Sequence, residues 1–148
     1  ELVQQVNGEF SERFSGRDLE LICHLPLGST YLHADGRYIW RVLENLYGNA
    51  AKYSMPSTRV YVDVVKKAGM VMFSIKNVSE QTLNISADEL MERFVRGDTS
   101  RTTDGSGLGL SIARNLVTLM GGTFELYVDG DLFKAIITFP EAGGRQSF

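Results

Sequence analysis

Apolar positions along the chain change period several times, and each change predicts an element. Leu2, Val6, Phe10 and Phe14 recur every fourth residue, which predicts an amphipathic helix over residues 2–14 ended by Gly16. Residues 19–25 alternate as a strand does, Pro26 to Ser29 turn, and Tyr31-Leu32 give a second short strand. Asp35 is placed to cap a helix. From Arg37 to Lys52 the apolar residues Ile39, Trp40, Val42, Leu43, Leu46, Tyr47 and Ala50 are helically spaced, and Met55-Pro56-Ser57 closes the element. Strands are predicted over residues 58–66 and 70–77, joined by the hairpin signal Lys67-Ala68-Gly69. Ser86-Ala87-Asp88-Glu89 reads as a capping box opening a short helix that runs to Phe94.

Residues 95–107 are polar, contain glycine and lack periodicity, the mark of a mobile lid or binding segment. A helix is predicted over residues 107–120, stopped by Gly121-Gly122. Two last strands, residues 123–129 and 132–139, flank the turn Asp129-Gly130-Asp131, and the tail Glu141 to Phe148 reads as frayed. Hairpins dominate, with helices between them. The fold class expected is α+β: a two-layer sandwich in which a mixed, mostly antiparallel sheet is covered by helices on one face. A single domain over residues 1–148 accounts for the whole pattern, with residues 1–15 as a lead-in helix and 95–107 as a lid.

Composition narrows the classes. A chain of 148 residues, 43% hydrophobic and 22% charged, fits one globular core. Its net charge of −3 offers no broad basic face for nucleic acid or anionic lipid. The lone Cys23 lies in an apolar alternating run, which argues for a small core residue rather than a disulfide or zinc framework. No apolar run reaches the 18 or more residues of a membrane span. The chain opens on Glu1 rather than Met, which fits a segment of a longer parent carrying membrane or sensor parts.

Two patterns carry chemistry. Gly105, Gly107 and Gly109 alternate directly into the helix that follows, so backbone N–H groups can approach a ligand with no Cβ in the way. The helix N-terminus adds unpaired N–H groups and a positive dipole end, and phosphate is the natural guest. On the earlier helix Asn45, Asn49 and Lys52 share one stripe. Asparagine is a poor helix former, and its repetition there suits a neutral oxygen ligand for a hard cation such as Mg²⁺, with the lysine one turn on reaching a phosphate. No Gly-Lys-Ser/Thr follows the glycines, and Leu110 occupies the third glycine position of a dinucleotide fingerprint, so P-loop and Rossmann readings fail.

Three ordered segments carry a resemblance. Glu44 to Ser54 (ENLYGNAAKYS) resembles the N box of sensor histidine kinases, Glu92 to Asp98 (ERFVRGD) their F box, and Gly105 to Leu110 (GSGLGL) their G2 box. The chain thus resembles the catalytic, ATP-binding domain of that family, which has the Bergerat fold. The resemblance implies that Asn49 ligates Mg²⁺, that Asn45 supports the phosphate and metal region, that Lys52 contacts phosphate, and that Tyr53 lies beside the nucleotide. Arg96 would be a lid cation near the γ-phosphate, with Arg101 a second candidate and Phe94 packing the lid's base. Backbone N–H groups of Gly107, Leu108, Gly109 and Leu110 would hold the phosphates. The implied partners are a helical dimerisation domain of the same parent, which carries the acceptor histidine, and indirectly a response regulator. The implied location is the cytoplasmic side of a membrane-anchored parent.

Two departures matter. The family's adenine-binding box is Asp-x-Gly-x-Gly, whereas here the strand ends Ser74-Ile75-Lys76-Asn77-Val78-Ser79, with Asn77 at the aspartate position and both glycines missing. A neutral hydrogen bond is roughly half as strong as a charge-assisted one, and an amide can flip to donate, so weaker ATP binding and poorer discrimination against guanine nucleotides are expected. ATP-hydrolysing relatives carry a glutamate general base at the position of Asn45. An amide cannot take a proton from water, and Glu44 next to it points about 100° away, which leaves it at most an assisting role. His24 and His33 read as structural, so the chain itself should not autophosphorylate. A catalytically silent nucleotide-binding module and a serine protein kinase of the same fold are the competing readings.

Overall fold

The computed structural model describes residues 1–28, 30–32, 34–81, 83, 89, 91, 108–142 and 146–147. Helix α1 (Leu2–Gly16) leads to β1 (Glu20–His24), β2 (Tyr31–Leu32) and helix α2 (Gly36–Tyr53); β3 (Arg59–Lys67) and β4 (Met70–Val78) precede helix α3 (Leu108–Leu119), which is followed by β5 (Thr123–Asp129), β6 (Leu132–Pro140) and β7 (Gln146–Ser147). Apart from β7, these elements form where the sequence pattern predicts them. Asp35 caps α2 as expected, its Oδ1 accepting from the Arg37 N–H at 2.8 Å. The β3–β4 hairpin turns through Ala68 and Gly69, both at positive φ (53° and 76°), which is the backbone a tight two-residue hairpin demands.

The five-stranded sheet has the order β1-β3-β4-β6-β5. Only β1 and β3 run parallel; the other pairs are antiparallel. The connection from β1 to β3 contains α2 and that from β4 to β5 contains α3. Both step the same way across the sheet, yet β1 and β4 run in opposite directions. With α2 and α3 packed together on one face, the two crossovers must have opposite hands, so one departs from the right-handed rule that governs nearly all such connections. That topology sets the N-terminus of α3 beside α2.

The core lies between the sheet and the helices. Val60, Val62, Val71, Phe73, Ile75, Ala135 and Ile137 from the sheet meet Ile39, Leu43, Leu46, Ala113 and Val117 from the helices. Val6, Phe10 and Phe14 of α1 extend this core on the far side of α2. Close packing is tightest at Gly122, where an added Cβ would stand 2.6 Å from the Phe139 ring.

Three expectations need correction or limits. The described residues of the tail are paired rather than frayed: Glu141 bridges Leu32, Ala142 N–H donates to Tyr31 O at 2.9 Å, and β7 pairs antiparallel with β2. A two-residue strand pair carries no periodicity, so nothing in the tail announced it. Cys23 is only half-buried, packed against the core, and burial pushes its thiol above the usual range. The capping box, the F-box segment, the 95–107 lid and His33 lie outside the described residues, apart from Glu89 and Met91, which are helical.

Candidate functional site

The site is built on α2. Its start is fixed by Asp35, and its end is held by Arg17, whose guanidinium donates to Ala51 O at 3.0 Å and Lys52 O at 2.5 Å while pairing with Glu80 at 2.9 Å. A cation on the last carbonyls of a helix satisfies both their lone pairs and the dipole. Backbone bonds from Met55 N–H to Val78 O and from Glu80 N–H to Tyr53 O, each 2.8 Å, then clamp this end of α2 to the end of β4. Ser54 and Ser79 meet there as an isolated bridge, and both are buried. Asn77, two residues earlier, is 4% exposed and shares the alternating buried positions of Val71, Phe73 and Ile75 on the helix-covered side of β4.

At the other end of the stripe, Asn45 lies against the first turn of α3. A Cβ placed on Gly109 would stand 3.6 Å from Asn45 Oδ1 and 3.8 Å from its Cγ. Thus the asparagine helix and the glycine-rich helix, though far apart in sequence, converge. Leu110 next to Gly109 is buried in the core, which anchors the turn so that its N–H groups are presented from a fixed base.

Two donors here are unfinished. Among the described residues, Asn45 Nδ2 and Tyr53 Oη are buried without a hydrogen-bond partner. An orphaned buried donor costs about 1–3 kcal/mol, so two on one helix face point to a ligand that completes them. Asn49 and Lys52 between them are half-buried, and Glu44 is exposed. The donor set fits a metal-bound polyphosphate: carboxamides, an ammonium and a helix N-terminus, with no carboxylate on the stripe to repel the phosphates. Among the described residues no cluster of His, Cys, Asp or Glu could hold a metal alone. Phe94, Arg96, Arg101, Gly105 and Gly107 lie outside the described residues, and Leu108 opens α3. His24 is exposed, its Nδ1 2.8 Å from Asp63 Oδ1 on the neighbouring strand.

Sequence reasoning missed the hold of Arg17 on the end of α2 and the hydrogen bond from the Tyr47 hydroxyl to Asn7 Oδ1. Arg17 follows a helix-stop glycine and looks like any surface cation. Tyr47 counts as one more apolar position, and its hydroxyl has no signature in a periodicity.

The sequence model of the histidine kinase-, DNA gyrase B- and HSP90-like ATPases matches residues 34–144, and the chain belongs to that family. Over 105 residues it is 33% identical to the probable sensor protein PcoS of Escherichia coli, covering 70% of this chain and 22% of that protein. Over 108 residues it is 33% identical to the sensor histidine kinase WalK of Bacillus subtilis, covering 70% of this chain and 18% of that one. The chain therefore spans about a fifth of these relatives. Full-length ShkA, solved in complex with AMPPNP, superposes with a TM-score of 0.77 at 26% identity, covering 97% of this chain and 30% of that one. The family and fold are those of the catalytic domain of sensor histidine kinases. Among the described residues no helix is long and apolar enough to cross a membrane.

Proposed function

We propose that this chain binds MgATP and serves as the phosphoryl-donating domain of a two-component sensor kinase. The observation that carries the reading is the approach of Asn45 to Gly109, with orphaned donors on the same helix face. Asn49 would supply the oxygen for Mg²⁺ and Lys52 a charge for phosphate. Asn45 and the first-turn N–H groups of Leu108, Gly109 and Leu110 would orient the polyphosphate, and Tyr53 would lie beside the nucleotide. Mg²⁺ would neutralise phosphate charge, the larger part of what phosphoryl transfer requires beyond positioning. Asn45 leaves water without a general base, Glu44 being exposed one residue away, so transfer to a histidine is favoured over hydrolysis. The acceptor would be a histidine on a helical dimerisation domain of the same parent, with a response regulator downstream and no nucleic acid involved. Residues 1–148 would act as one domain, Phe94, Arg96, Gly105 and Gly107 belonging to its lid, and the parent would sit in the cell membrane with this domain in the cytoplasm. The AMPPNP complex of ShkA supports the nucleotide part of this reading.

The test is calorimetric titration of the native chain, Asn49→Ala and Asn77→Asp with ATP and GTP, with and without Mg²⁺. The native chain should bind ATP in a Mg²⁺-dependent manner and prefer it to GTP only modestly; Asn49→Ala should lose the Mg²⁺ dependence, and Asn77→Asp should tighten ATP and sharpen the preference. A native preference for ATP of about a thousandfold, roughly 4 kcal/mol, would refute the role given to Asn77. Absence of ATP binding would refute the whole reading. Binding without transfer of γ-phosphate to a supplied helical acceptor domain would favour the catalytically silent module.

A further inference from the structure

Tyr47 is fully buried in α2, two residues after Asn45 and two before Asn49. At 3.6 residues per turn this puts it about 160° around the helix from each of them. What holds Tyr47 therefore sets where the asparagine stripe points. Its ring stacks on Phe14 of α1 at 6.1 Å with an interplanar angle of 5°, and it touches Phe10 and Phe73 at 5.6 and 6.4 Å between centroids. Packed rings fix the distance between helices but tolerate some rotation. The hydroxyl is more exacting: it donates to Asn7 Oδ1 of α1 at 2.5 Å. Asn7 belongs to α1, which also packs against β1, so it cannot follow Tyr47 freely if α2 turns. One carboxamide thereby ties α1 to α2 at a single point.

We propose that Asn7 is a positioning residue of the nucleotide site, holding α2 through the Tyr47 hydroxyl at the rotation that turns Asn45 and Asn49 towards α3. The inference rests on the nucleotide-binding reading above and adds a consequence to it. Because Asn7 belongs to the helix that leads into the domain, a shift of α1 along or around its axis changes the site without touching it. Directional bonding is what makes the link effective, since a buried hydroxyl that loses its acceptor must move to find another.

The experiment measures MgATP affinity of the 148-residue chain in its native form and as Asn7→Leu, Tyr47→Phe and the double variant. Each single variant should weaken MgATP about tenfold, below the roughly hundredfold that a 1 Å misplacement can cause. The double variant should be no weaker than Asn7→Leu, because both changes break one bond. In the ligand-free chain, the side-chain amide resonances of Asn45 and Asn49 should move in Tyr47→Phe, while that of Asn115, exposed on α3, stays. Should Asn7→Leu fail to fold, Tyr47→Phe, which keeps the ring packing, carries the test. Native affinity in folded Tyr47→Phe overturns the proposal, as do effects of the two single variants that multiply in the double. A native chain that does not bind MgATP removes the nucleotide reading and this inference with it, an outcome distinct from binding that ignores Tyr47.

Discussion

Helix α2 shows two faces finished to different degrees. Towards α1, Tyr47 packs on Phe10 and Phe14, with Phe73 of β4 as a third ring, and donates a hydrogen bond to Asn7, and Gly48 lets α1 come within ordinary contact, Phe10 Cε1 standing 3.9 Å from where a Cβ would be. Towards α3 and β4 the same helix leaves Asn45 Nδ2 and Tyr53 Oη without a partner among the described residues. Proteins rarely leave buried donors orphaned, so the asymmetry separates a face that holds the fold from a face that waits for a ligand. The same eighteen residues are thus scaffold on one side and site on the other, and substitutions on the two sides should fail in different assays.

The largest effect is expected on the finished face. Tyr47→Ala removes a fully buried ring and leaves a cavity among Phe10, Phe14 and Phe73, at a cost of about 3–5 kcal/mol. Denaturant unfolding measures it directly. A cost below about 1 kcal/mol would mean that α1 does not rest on α2 in solution, and the comparison would lose its scaffold side.

How far the sequence discloses this division depends on which kind of signal each part leaves. Ile39, Leu43 and Leu46 announce α2 because apolar spacing is written into the chain, and Ala68-Gly69 announces a hairpin because few residues tolerate its backbone. The convergence of Asn45 with Gly109 was legible only as chemistry: amides and glycines that suit the same polyphosphate, with the family resemblance supplying their order. Contacts made by a single atom at long range left no trace. The Tyr47 hydroxyl on Asn7, the Arg17 guanidinium on the end of α2 and the pairing of β7 with β2 each depend on where unrelated segments meet, and periodicity does not encode that.

On the unfinished face, stability and binding should part. Asn45→Leu and Tyr53→Phe each delete a buried unpartnered donor, and leucine is also the better helix former. Folding stability should hold or rise by up to about 1 kcal/mol, whereas MgATP affinity falls, about tenfold for Asn45→Leu and less for Tyr53→Phe. Thermal unfolding with and without MgATP reads both quantities in one set of samples. Destabilisation of either ligand-free variant would mean that its polar group is already satisfied, and the two faces would no longer differ.

The smallest effect concerns the end of α2 rather than either face. Hydrogen bonds from the Arg37 backbone N–H and then its side chain hold the Asp35 carboxyl below the ordinary range in the folded chain. The charged carboxylate therefore favours folding. This contribution is complete above the unfolded value, near pH 4, and is lost as the pH falls through the lower folded value. Asp35→Ala should lower Tm modestly at pH 7, and the gap to the native chain should close towards pH 3. Because the rotation of α2 is set by its flanks and not by its first turn, MgATP affinity at pH 7 should stay at the native level. A gap in Tm that persists unchanged at low pH would show that the cap acts through something other than its charge. A fall in affinity would show that the site depends on where α2 begins, and the faces alone would not explain its geometry.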